Sequence, residues 1–134
     1  MDQLRTAEAG QHIMLVVDDD AAVRSSLKFI LEVEGFQVRV FASGQDLLNE
    51  ESLPDPGCLV VDYYMPGMNG LELVAQLRGR QVLVPAILIT PAPSQNLRDR
   101  AAAAGIPIVE KPLLGSRLLD SIREAFDGNI KSES

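Results

Sequence analysis

The stretch His12–Asp20 reads HIMLVVDDD, an apolar run that ends at three consecutive aspartates. A continuous apolar run that contains β-branched residues is typical of a strand buried on both faces, as in a parallel sheet. Ligands of open parallel sheets bind outside the carboxyl ends of the strands, so polar residues at that end are candidate functional groups. The stretch therefore predicts a parallel sheet and the first two members of a candidate site, Asp18 and Asp19.

The alternation of strand and helix continues along the rest of the chain. Further strands are predicted at 36–41, 58–61, 84–90 and 106–109, helices at 21–34, 44–51, 71–78, 97–104 and 116–126, and a turn at 54–57. Asp20 and Ser43 can cap the starts of the first two helices, and Gly35 and Gly105 stand where the first and fourth helices should end. In the first helix the apolar residues recur at helical spacing, at Val23, Leu27, Ile30 and Leu31. Five repeats of strand and helix favour an α/β fold in which a five-stranded parallel sheet is covered by helices on both faces, with right-handed crossovers. We expect one domain at 12–127, a polar N-terminal tail at 1–11 and a polar C-terminal tail at 128–134.

Composition limits the classes of protein to which the chain can belong. It has 134 residues, 46% of them hydrophobic, which suits one domain with an ordinary core. The 12 Lys and Arg against 19 Asp and Glu give a net charge of −7, so nucleic acid and anionic membranes are poor partners. A single cysteine, Cys58, excludes an internal disulfide, and a single histidine, His12, argues against a histidine metal cluster. No apolar run approaches the ~20 residues of a membrane span, and we expect a cytoplasmic protein.

Polar residues follow four of the five predicted strands. In chain order they are Asp18, Asp19, Asp62, Thr90 and Lys111. The carboxyl ends of parallel strands lie on one edge of a sheet, so we expect these side chains to share a pocket. Two like charges at ~4 Å repel by about 4 kcal/mol at an effective dielectric constant of about 20, which favours a hard divalent cation such as Mg2+ among the carboxylates. Mg2+, a lysine and a threonine hydroxyl are together suited to holding a phosphoryl group.

Each of these residues also has an ordinary structural explanation. An aspartate at the end of a strand is often a turn or helix-cap residue, a threonine there is often a β-branched strand residue, and a lysine is often solvated. The joint pattern at four strand ends is much harder to obtain by accident than any one of its members. We therefore interpret it as a functional site.

Four segments of the chain resemble the CheY-like receiver domain of two-component response regulators. They are VVDDD at 16–20, VDYYMPGMNG at 61–70, ILIT at 87–90 and EKP at 110–112. Their order, spacing and strand placement agree with that family over residues 12–127, and the MPGMNG loop with the EKP ending looks most like receivers of the FixJ type. The resemblance implies a doubly wound, flavodoxin-like (βα)5 three-layer sandwich with strand order 2-1-3-4-5.

The resemblance also implies how the pocket would act in signalling. Asp62 would accept a phosphoryl group from a sensor histidine kinase or a phosphotransfer protein, forming an acyl phosphate. Lys111 would pair with one phosphoryl oxygen, and the Thr90 hydroxyl would donate a hydrogen bond to another. The peptide bond before Pro112 is expected to be cis. Such a domain catalyses only its own phosphotransfer and dephosphorylation, so we do not expect a classical enzyme.

A magnesium site in the same pocket is a further implication of the resemblance. Asp19 and Asp62 would be direct ligands, and Asp18 would act through a bound water. The backbone carbonyl of Tyr64 would complete the ligands from the protein. The cation would neutralise phosphoryl oxygens during transfer.

Two positions depart from the family pattern in the part of the domain that transmits the signal. The resemblance implies that a downstream protein or a second copy of the chain contacts the face formed by the fourth helix, fifth strand and fifth helix. Ile108 stands where the family usually carries an aromatic switch residue, and Pro91 follows Thr90 where a small residue is usual. Since Pro91 and Pro93 stiffen that loop, we predict that switching uses the loop and the fourth helix rather than an aromatic rotamer.

Two alternative functions remain open from the sequence. The chain could be the receiver portion of a longer FixJ-type DNA-binding regulator, although the charge of −7 argues against DNA contact by this part. A small haloacid-dehalogenase-like phosphatase also uses an Asp nucleophile, Mg2+, a Thr or Ser and a Lys, and Asp18-Asp19-Asp20 contains its Asp-x-Asp spacing. Those phosphatases need further acidic ligands late in the chain, which Glu110-Lys111-Pro112 does not supply, so this alternative is remote.

Overall fold

A parallel sheet with helices on both faces is formed by the described residues. The computed structural model describes residues 13–51, 56–113 and 116–133, and at 56 and 127–133 it describes the backbone alone. The strands are β1 (Ile13–Val17), β2 (Gln37–Phe41), β3 (Pro56–Asp62), β4 (Ala86–Thr90) and β5 (Ile108–Glu110). The helices are α1 (Ala21–Val33), α2 (Gly44–Leu48), α3 (Gly70–Gly79), α4 (Gln95–Ala103) and α5 (Arg117–Glu133). Because the strands pair in parallel in the order β2-β1-β3-β4-β5, the predicted doubly wound fold is confirmed.

Two apolar layers, one on each face of the sheet, hold the helices. Successive strand residues point to opposite faces, and in the three central strands both sets are apolar, which is why these strands read as continuous apolar runs. One layer packs Leu15, Leu59 and Leu88 beneath α2, α3 and α4. The other packs Val60 and Ile87 beneath α1 and α5. Each fully buried aliphatic side chain contributes about 1.5–3 kcal/mol, so the sheet gives the site at its edge a stable support.

The turns between strands and helices follow the predicted capping residues. Asp20 begins α1, where its carboxylate accepts a hydrogen bond from the backbone N–H of Ala22 at 2.8 Å. Ser43 caps α2 in the same way. Gly35 and Gly105 follow α1 and α4 with φ of 98° and 71°, a conformation that glycine adopts without a steric cost. These four predicted capping positions are confirmed.

The predicted start of β3 at Cys58 is wrong, because the strand begins at Pro56 in what the sequence suggests is a turn at 54–57. Pro56 pairs with Ile13 at a shift in register between β1 and β3. A proline has no N–H to donate to the sheet. The sheet tolerates the missing hydrogen bond here, because Pro56 is the first residue of the strand and lies at an irregularity in the pairing. Residues 54 and 55 of the predicted turn lie outside the described residues.

The predicted starts of β4 and β5 are also wrong by two residues. β4 begins at Ala86 rather than at 84, since the intervening proline has no backbone N–H for the sheet. β5 begins at Ile108 rather than Ile106. The N–H of Ile106 instead donates to the carbonyl of Ala101 at 2.8 Å and closes the end of α4.

The last helix is longer than the sequence suggests. α5 continues past Phe126, its predicted end, to Glu133, so the predicted C-terminal tail is helical over 128–133. No proline interrupts this stretch, and its one glycine, Gly128, costs only about 1 kcal/mol in a helix. The predicted tail at 1–11 lies outside the described residues. In the parts of the chain that are described, no helix is both long and apolar enough to cross a membrane.

Cys58 is expected to be inert to thiol reagents in the folded chain. Its side chain is fully buried beneath α1 and α5, and burial raises the pKa of the thiol to about 12, so little reactive thiolate forms at neutral pH. We expect a disulfide reagent such as DTNB to react on the order of 100-fold more slowly with the native chain than with the chain unfolded in guanidinium chloride. Equal rates in the two states would contradict this burial.

Candidate functional site

Three acidic side chains converge at the carboxyl edge of the sheet. Val17 pairs with Val61 in the register of β1 and β3, so the next residues, Asp18 and Asp62, reach the same level. Asp18 is fully buried and Asp62 is 4% exposed, whereas Asp19 is exposed. Carboxylate oxygens of the three lie within 4.8 Å of one another. The structure therefore brings together the acids that the sequence predicts to share a pocket.

Lys111 places a positive charge against two of these acids. Its Nζ lies 3.3 Å from Asp62 Oδ2 and 3.4 Å from Asp18 Oδ2. Its backbone N–H donates to the carbonyl of Thr90 at 2.9 Å, and its peptide bond to Pro112 is cis, as expected. One ammonium facing two buried carboxylates leaves the pocket with excess negative charge.

The ionised form of Asp62 is costly in this pocket. Burial raises the pKa of the Asp62 carboxyl and the Asp18 carboxylate raises it further, while the Lys111 ammonium and the backbone N–H of Tyr64 lower it without cancelling the rise. Burial lowers the pKa of Lys111, but Asp18 and Asp62 together outweigh that effect and the pKa is raised. An additional cation would stabilise the ionised carboxylate that a nucleophile needs.

Two buried side-chain oxygen atoms, at the ends of β3 and β4, have no hydrogen-bond partner among the described residues. They are Asp62 Oδ1 and Thr90 Oγ1. Thr90 is completely buried at the end of β4, directly after Ile89, which pairs with Asp62 in the register. An unpartnered buried polar atom costs about 1–3 kcal/mol, so these two atoms point to a group that binds between the ends of β3 and β4.

The loop that follows β3 places Tyr64 at the rim of the pocket. The N–H of Tyr63 donates to the carbonyl of Ile89 at 2.9 Å, and the carbonyl of Tyr63 accepts from the N–H of Gly70 at 3.1 Å. The Tyr64 ring meets the Tyr63 ring edge to face, with centroids 4.8 Å apart, and is 57% exposed. The Tyr64 backbone N–H interacts with the Asp62 carboxylate, and a ligand role for the Tyr64 carbonyl stays a prediction.

An open cleft of about 430 Å3 adjoins this loop. Its lining consists of Tyr63, Tyr64, Met65, Pro66 and Asn69. The aromatic and apolar side chains give the rim of the pocket a different character from its acidic floor.

Asp18 is held by contacts that the sequence does not predict. Its carboxylate accepts from the N–H of Asp20 at 2.9 Å, and its backbone N–H donates to the carbonyl of Phe41 at 3.2 Å. The guanidinium of Arg24 donates to the backbone carbonyl of Asp18 at 2.7 Å. No sequence signal distinguishes Arg24 from a solvated arginine, because its partner is a backbone group that every residue carries.

The donor set of the pocket fits a hard divalent cation. The candidate ligands are carboxylate oxygens, which Mg2+ takes in small number while it keeps several waters. Because Asp19 is exposed, one side of the cluster is open to solvent. Among the described residues, the cluster contains no histidine or cysteine, the ligands typical of zinc.

A doubly wound parallel sheet that carries three acids, a lysine and a threonine at its carboxyl edge defines a phosphoacceptor class of signalling domain. The family model described as response regulator receiver domain matches residues 14–123. The chain therefore belongs to the response regulator receiver domain family, and its function is two-component phosphorelay signalling rather than classical enzyme turnover.

Curated relatives support this family assignment. The chain is 36% identical over 112 residues to the transcriptional regulatory protein FixJ of Bradyrhizobium diazoefficiens. This match covers 83% of this chain and 55% of that protein. It is 34% identical over 115 residues to the C4-dicarboxylate transport transcriptional regulatory protein DctD of Pseudomonas aeruginosa. This second match covers 85% of this chain and 25% of that protein. The chain thus spans about half the length of the first relative and a quarter of the second.

Solved structures agree in fold over most of the chain. The crystal structure of FixJ-N is 32% identical in sequence and superposes with a TM-score of 0.78. The superposition covers 87% of this chain and 94% of that one. A CheY-like receiver domain protein from Methanospirillum hungatei is 28% identical in sequence and superposes with a TM-score of 0.82, over 92% of this chain and 99% of that one.

Proposed function

We propose that Asp62 is the residue of this receiver that accepts the phosphoryl group, in a Mg2+-dependent transfer from the phosphohistidine of a sensor kinase or a phosphotransfer protein. The observation that carries the proposal is the buried Asp62 carboxylate, whose Oδ1 is unpartnered and whose Oδ2 lies 3.3 Å from Lys111 Nζ. A carboxylate that forms an acyl phosphate needs a free oxygen and positive charge next to the incoming group. The proposal implies a cytoplasmic location, shared with the catalytic part of the kinase.

The side chains of the pocket divide the proposed transfer between them. An oxygen of Asp62 attacks the phosphorus, so that a P–O bond forms as the P–N bond to the donor imidazole breaks and the imidazole keeps the electron pair. Lys111 pairs with one phosphoryl oxygen. The Thr90 hydroxyl, which is otherwise unpartnered, donates a hydrogen bond to another. Water later hydrolyses the acyl phosphate, so the chain catalyses only its own phosphotransfer and dephosphorylation.

The acidic cluster is the proposed magnesium site. Asp19 and Asp62 would be direct ligands, Asp18 would act through water, and the backbone carbonyl of Tyr64 would join them. When bound there, the cation would supply positive charge to the phosphoryl oxygens. The 4.8 Å grouping of the three carboxylates supports this assignment.

Labelling with acetyl phosphate tests the proposed function. We expect the mass of the chain to rise by one phosphoryl group in the presence of acetyl phosphate and Mg2+, and to stay unchanged when EDTA removes the cation. Size-exclusion chromatography of the same samples reports whether labelling changes the assembly state. No mass change in the presence of Mg2+ would argue against the proposal, and turnover of p-nitrophenyl phosphate would favour the phosphatase alternative.

The proposed output surface is the face formed by α4, β5 and α5, with a downstream protein or a second copy of the chain as partner. α4 buries only Leu97 and Ala101, and an ion pair of 2.7 Å between Arg98 and Glu110 connects it to the end of β5. Both side chains of that pair are 46% exposed, so it contributes at most about 1 kcal/mol. A helix held by so few contacts suits a switching element. We propose protein partners rather than nucleic acid or membrane for this acidic chain.

Hydrogen exchange with and without beryllofluoride is expected to show a response in residues 91–104. If the loop after Thr90 and α4 carry the switch in place of an aromatic rotamer at Ile108, their amide exchange rates should change by about tenfold, the equivalent of about 1.4 kcal/mol in local opening. α3, at 70–79, serves as the internal control because it lies outside the proposed output surface. Unchanged exchange across 91–104 would sink this hypothesis.

The receiver portion of a longer regulator remains the second candidate. Both curated relatives described above are named as transcriptional regulatory proteins, and each is longer than the match to this chain. The reading frame that follows Ser134 in the genome tests it, since an output domain encoded there would establish the longer protein. The haloacid-dehalogenase-like alternative is not supported, because the receiver model matches nearly the whole described chain.

A further inference from the structure

Arg24 makes a polar contact with the backbone of the acidic pocket from the first turns of α1. Its Nη1 lies 2.7 Å from the backbone carbonyl oxygen of Asp18. The residue is half-buried, and its own N–H donates to the carbonyl of Asp20 at 3.0 Å within the helix. A charge-assisted hydrogen bond of this length is stronger than a neutral one. The guanidinium therefore links α1 to the peptide that leads into the site.

The acids of the pocket differ in what holds them. The Asp18 carboxylate accepts from the N–H of Asp20 and pairs with Lys111, and Asp62 also pairs with Lys111. The Asp19 carboxylate has neither a hydrogen bond nor an ion pair to any part of the chain that the structure describes. The placement of Asp19 therefore depends on its backbone.

The peptide between Asp18 and Asp19 is where Arg24 acts. A peptide unit is planar, so the direction of the Asp18 carbonyl also sets the direction of the Asp19 N–H and the position of its Cα. The N–H of Asp18 is held by the carbonyl of Phe41 at 3.2 Å, and the carbonyl of Asp18 is held by Arg24. With both ends of Asp18 held, the peptide plane that carries Asp19 toward the other two acids is fixed.

We propose that Arg24 is a positioning residue for divalent-cation binding: by holding the Asp18 carbonyl, it keeps the Asp19 carboxylate turned toward Asp18 and Asp62. This inference rests on the proposed magnesium site. Residues that orient a metal ligand without touching the metal typically change affinity by about 10–100-fold when they are replaced. Arg24 has the geometry for such a role. An effect of its charge alone on the bound cation would instead act at a distance and would depend on the salt concentration.

Mg2+ titration of the unphosphorylated chain tests the proposal through tyrosine fluorescence. The chain has two tyrosines and no tryptophan, and both tyrosines, Tyr63 and Tyr64, lie in the loop directly after Asp62. We expect Arg24→Ala to raise the Kd for Mg2+ by about tenfold at a temperature where every variant is folded. Arg24→Lys keeps the charge but not the fixed fork of the guanidinium, so we expect it to bind Mg2+ more weakly than the wild type as well.

Lys28→Gln is the matched control for charge. Lys28 lies one turn further along α1, is exposed, and pairs with Glu32 rather than with the pocket. The Lys28→Gln variant should keep the Kd for Mg2+ within about twofold of the wild-type value, because salt screens the effect of an exposed charge that lies away from the pocket. Loss of a positive charge by itself would lower the Kd for a cation, so a Kd that falls by the same factor in Lys28→Gln and Arg24→Ala would overturn the positioning role in favour of net charge.

Thermal unfolding without Mg2+ separates positioning from a structural role. If Arg24→Ala or Arg24→Lys lowers the stability of the fold while the Kd for Mg2+ stays at the wild-type value, the proposal is wrong. Should Arg24→Ala fail to fold, the comparison of Arg24→Lys with Lys28→Gln decides in its place. If the wild-type chain binds Mg2+ and accepts a phosphoryl group, but the variants bind Mg2+ equally well, this inference alone is wrong. If the wild-type chain neither binds Mg2+ nor accepts a phosphoryl group, both the proposed function and this inference are wrong.

Discussion

Asp62→Asn is expected to abolish phosphoryl acceptance and, at the same time, to stabilise the folded chain. An asparagine has almost the same size as an aspartate but lacks the carboxylate that forms an acyl phosphate. Among the described residues, Asp62 alone combines an unpartnered buried carboxylate oxygen with a nearby ammonium. No other acid is therefore expected to take over, and the mass of the variant should stay unchanged after treatment with acetyl phosphate and Mg2+.

The expected gain in stability follows from the direction of the pKa shift. Burial, with the Asp18 carboxylate adding to it, raises the pKa of Asp62 in the folded chain, so the folded state binds the proton more tightly than the unfolded state does. Stability is then highest below the ordinary pKa of an aspartate and falls as the pH rises through the raised value. At pH 7 the ionised carboxylate destabilises the fold. The amide introduced by Asp62→Asn carries no charge, and we expect a gain of about 0.5–2 kcal/mol in the free energy of unfolding.

Urea denaturation at several pH values, with Asp99→Asn as the control, measures this effect. Asp99 is an exposed acid on α4 whose carboxylate accepts from Gln95 outside the pocket. Its replacement should leave labelling intact and change the free energy of unfolding by no more than about 0.5 kcal/mol. The advantage of Asp62→Asn should shrink as the pH falls and Asp62 becomes protonated. Labelling of Asp62→Asn would refute the assignment of the acceptor, and a variant less stable than the wild type at pH 7 would refute the electrostatic account.

The residues of the pocket were predictable because strand ends are marked locally in the sequence. An apolar run shows where a buried strand lies, and the first polar residue after it, such as Asp18 or Asp62, shows where the strand leaves the core. Parallel pairing then brings those ends to one edge, whatever the distance along the chain. Lys111, 93 residues after Asp18, reaches that residue for this reason.

Contacts through backbone groups, and the rotation of a helix about its axis, were not predictable in the same way. Arg24 binds a carbonyl, which leaves no pattern of residue types in the sequence. On α1, helical spacing marks Ile30 as a core residue, but it is 37% exposed, next to Phe29 at 69% and Val33 at 66%. The apolar stripe of this helix is wider than the face that the sheet covers, so the spacing alone does not say which side is buried.

Gly70→Ala is expected to destabilise the fold and to disturb Asp62, the proposed phosphoacceptor, in one step. A Cβ at this position would lie 2.7 Å from the backbone carbonyl oxygen of Asp62 and 2.7 Å from Leu88 Cδ1. The leucine side chain can move, but the carbonyl belongs to the last residue of a central strand. Overpacking of this kind costs about 1–3 kcal/mol, and we expect that loss in urea denaturation together with slower labelling by acetyl phosphate.

Helix α3 cannot simply move away to make room for the added methyl group. It begins with a capping box in which Asn69 Oδ1 accepts from the N–H of Glu72 and Glu72 Oε1 accepts from the N–H of Asn69, both at 2.9 Å. The N–H of Gly70 also donates to the carbonyl of Tyr63 at 3.1 Å. A shift of the helix start would break these hydrogen bonds, each worth about 0.5–1.5 kcal/mol. The strain should therefore fall partly on the end of β3.

Gly79→Ala is the matched control, because Gly79 ends the same helix and a Cβ there would meet no atom within 4 Å. Alanine favours a helix over glycine by up to about 1 kcal/mol, so this variant should be as stable as the wild type or slightly more so, with unchanged labelling. If Gly70→Ala loses stability but is labelled at the wild-type rate, then Leu88 and the helix have absorbed the clash and the position of Asp62 does not depend on it. Loss of both stability and labelling, in Gly70→Ala but not in Gly79→Ala, would show that the close approach of α3 to β3 holds Asp62, the proposed phosphoacceptor, in place.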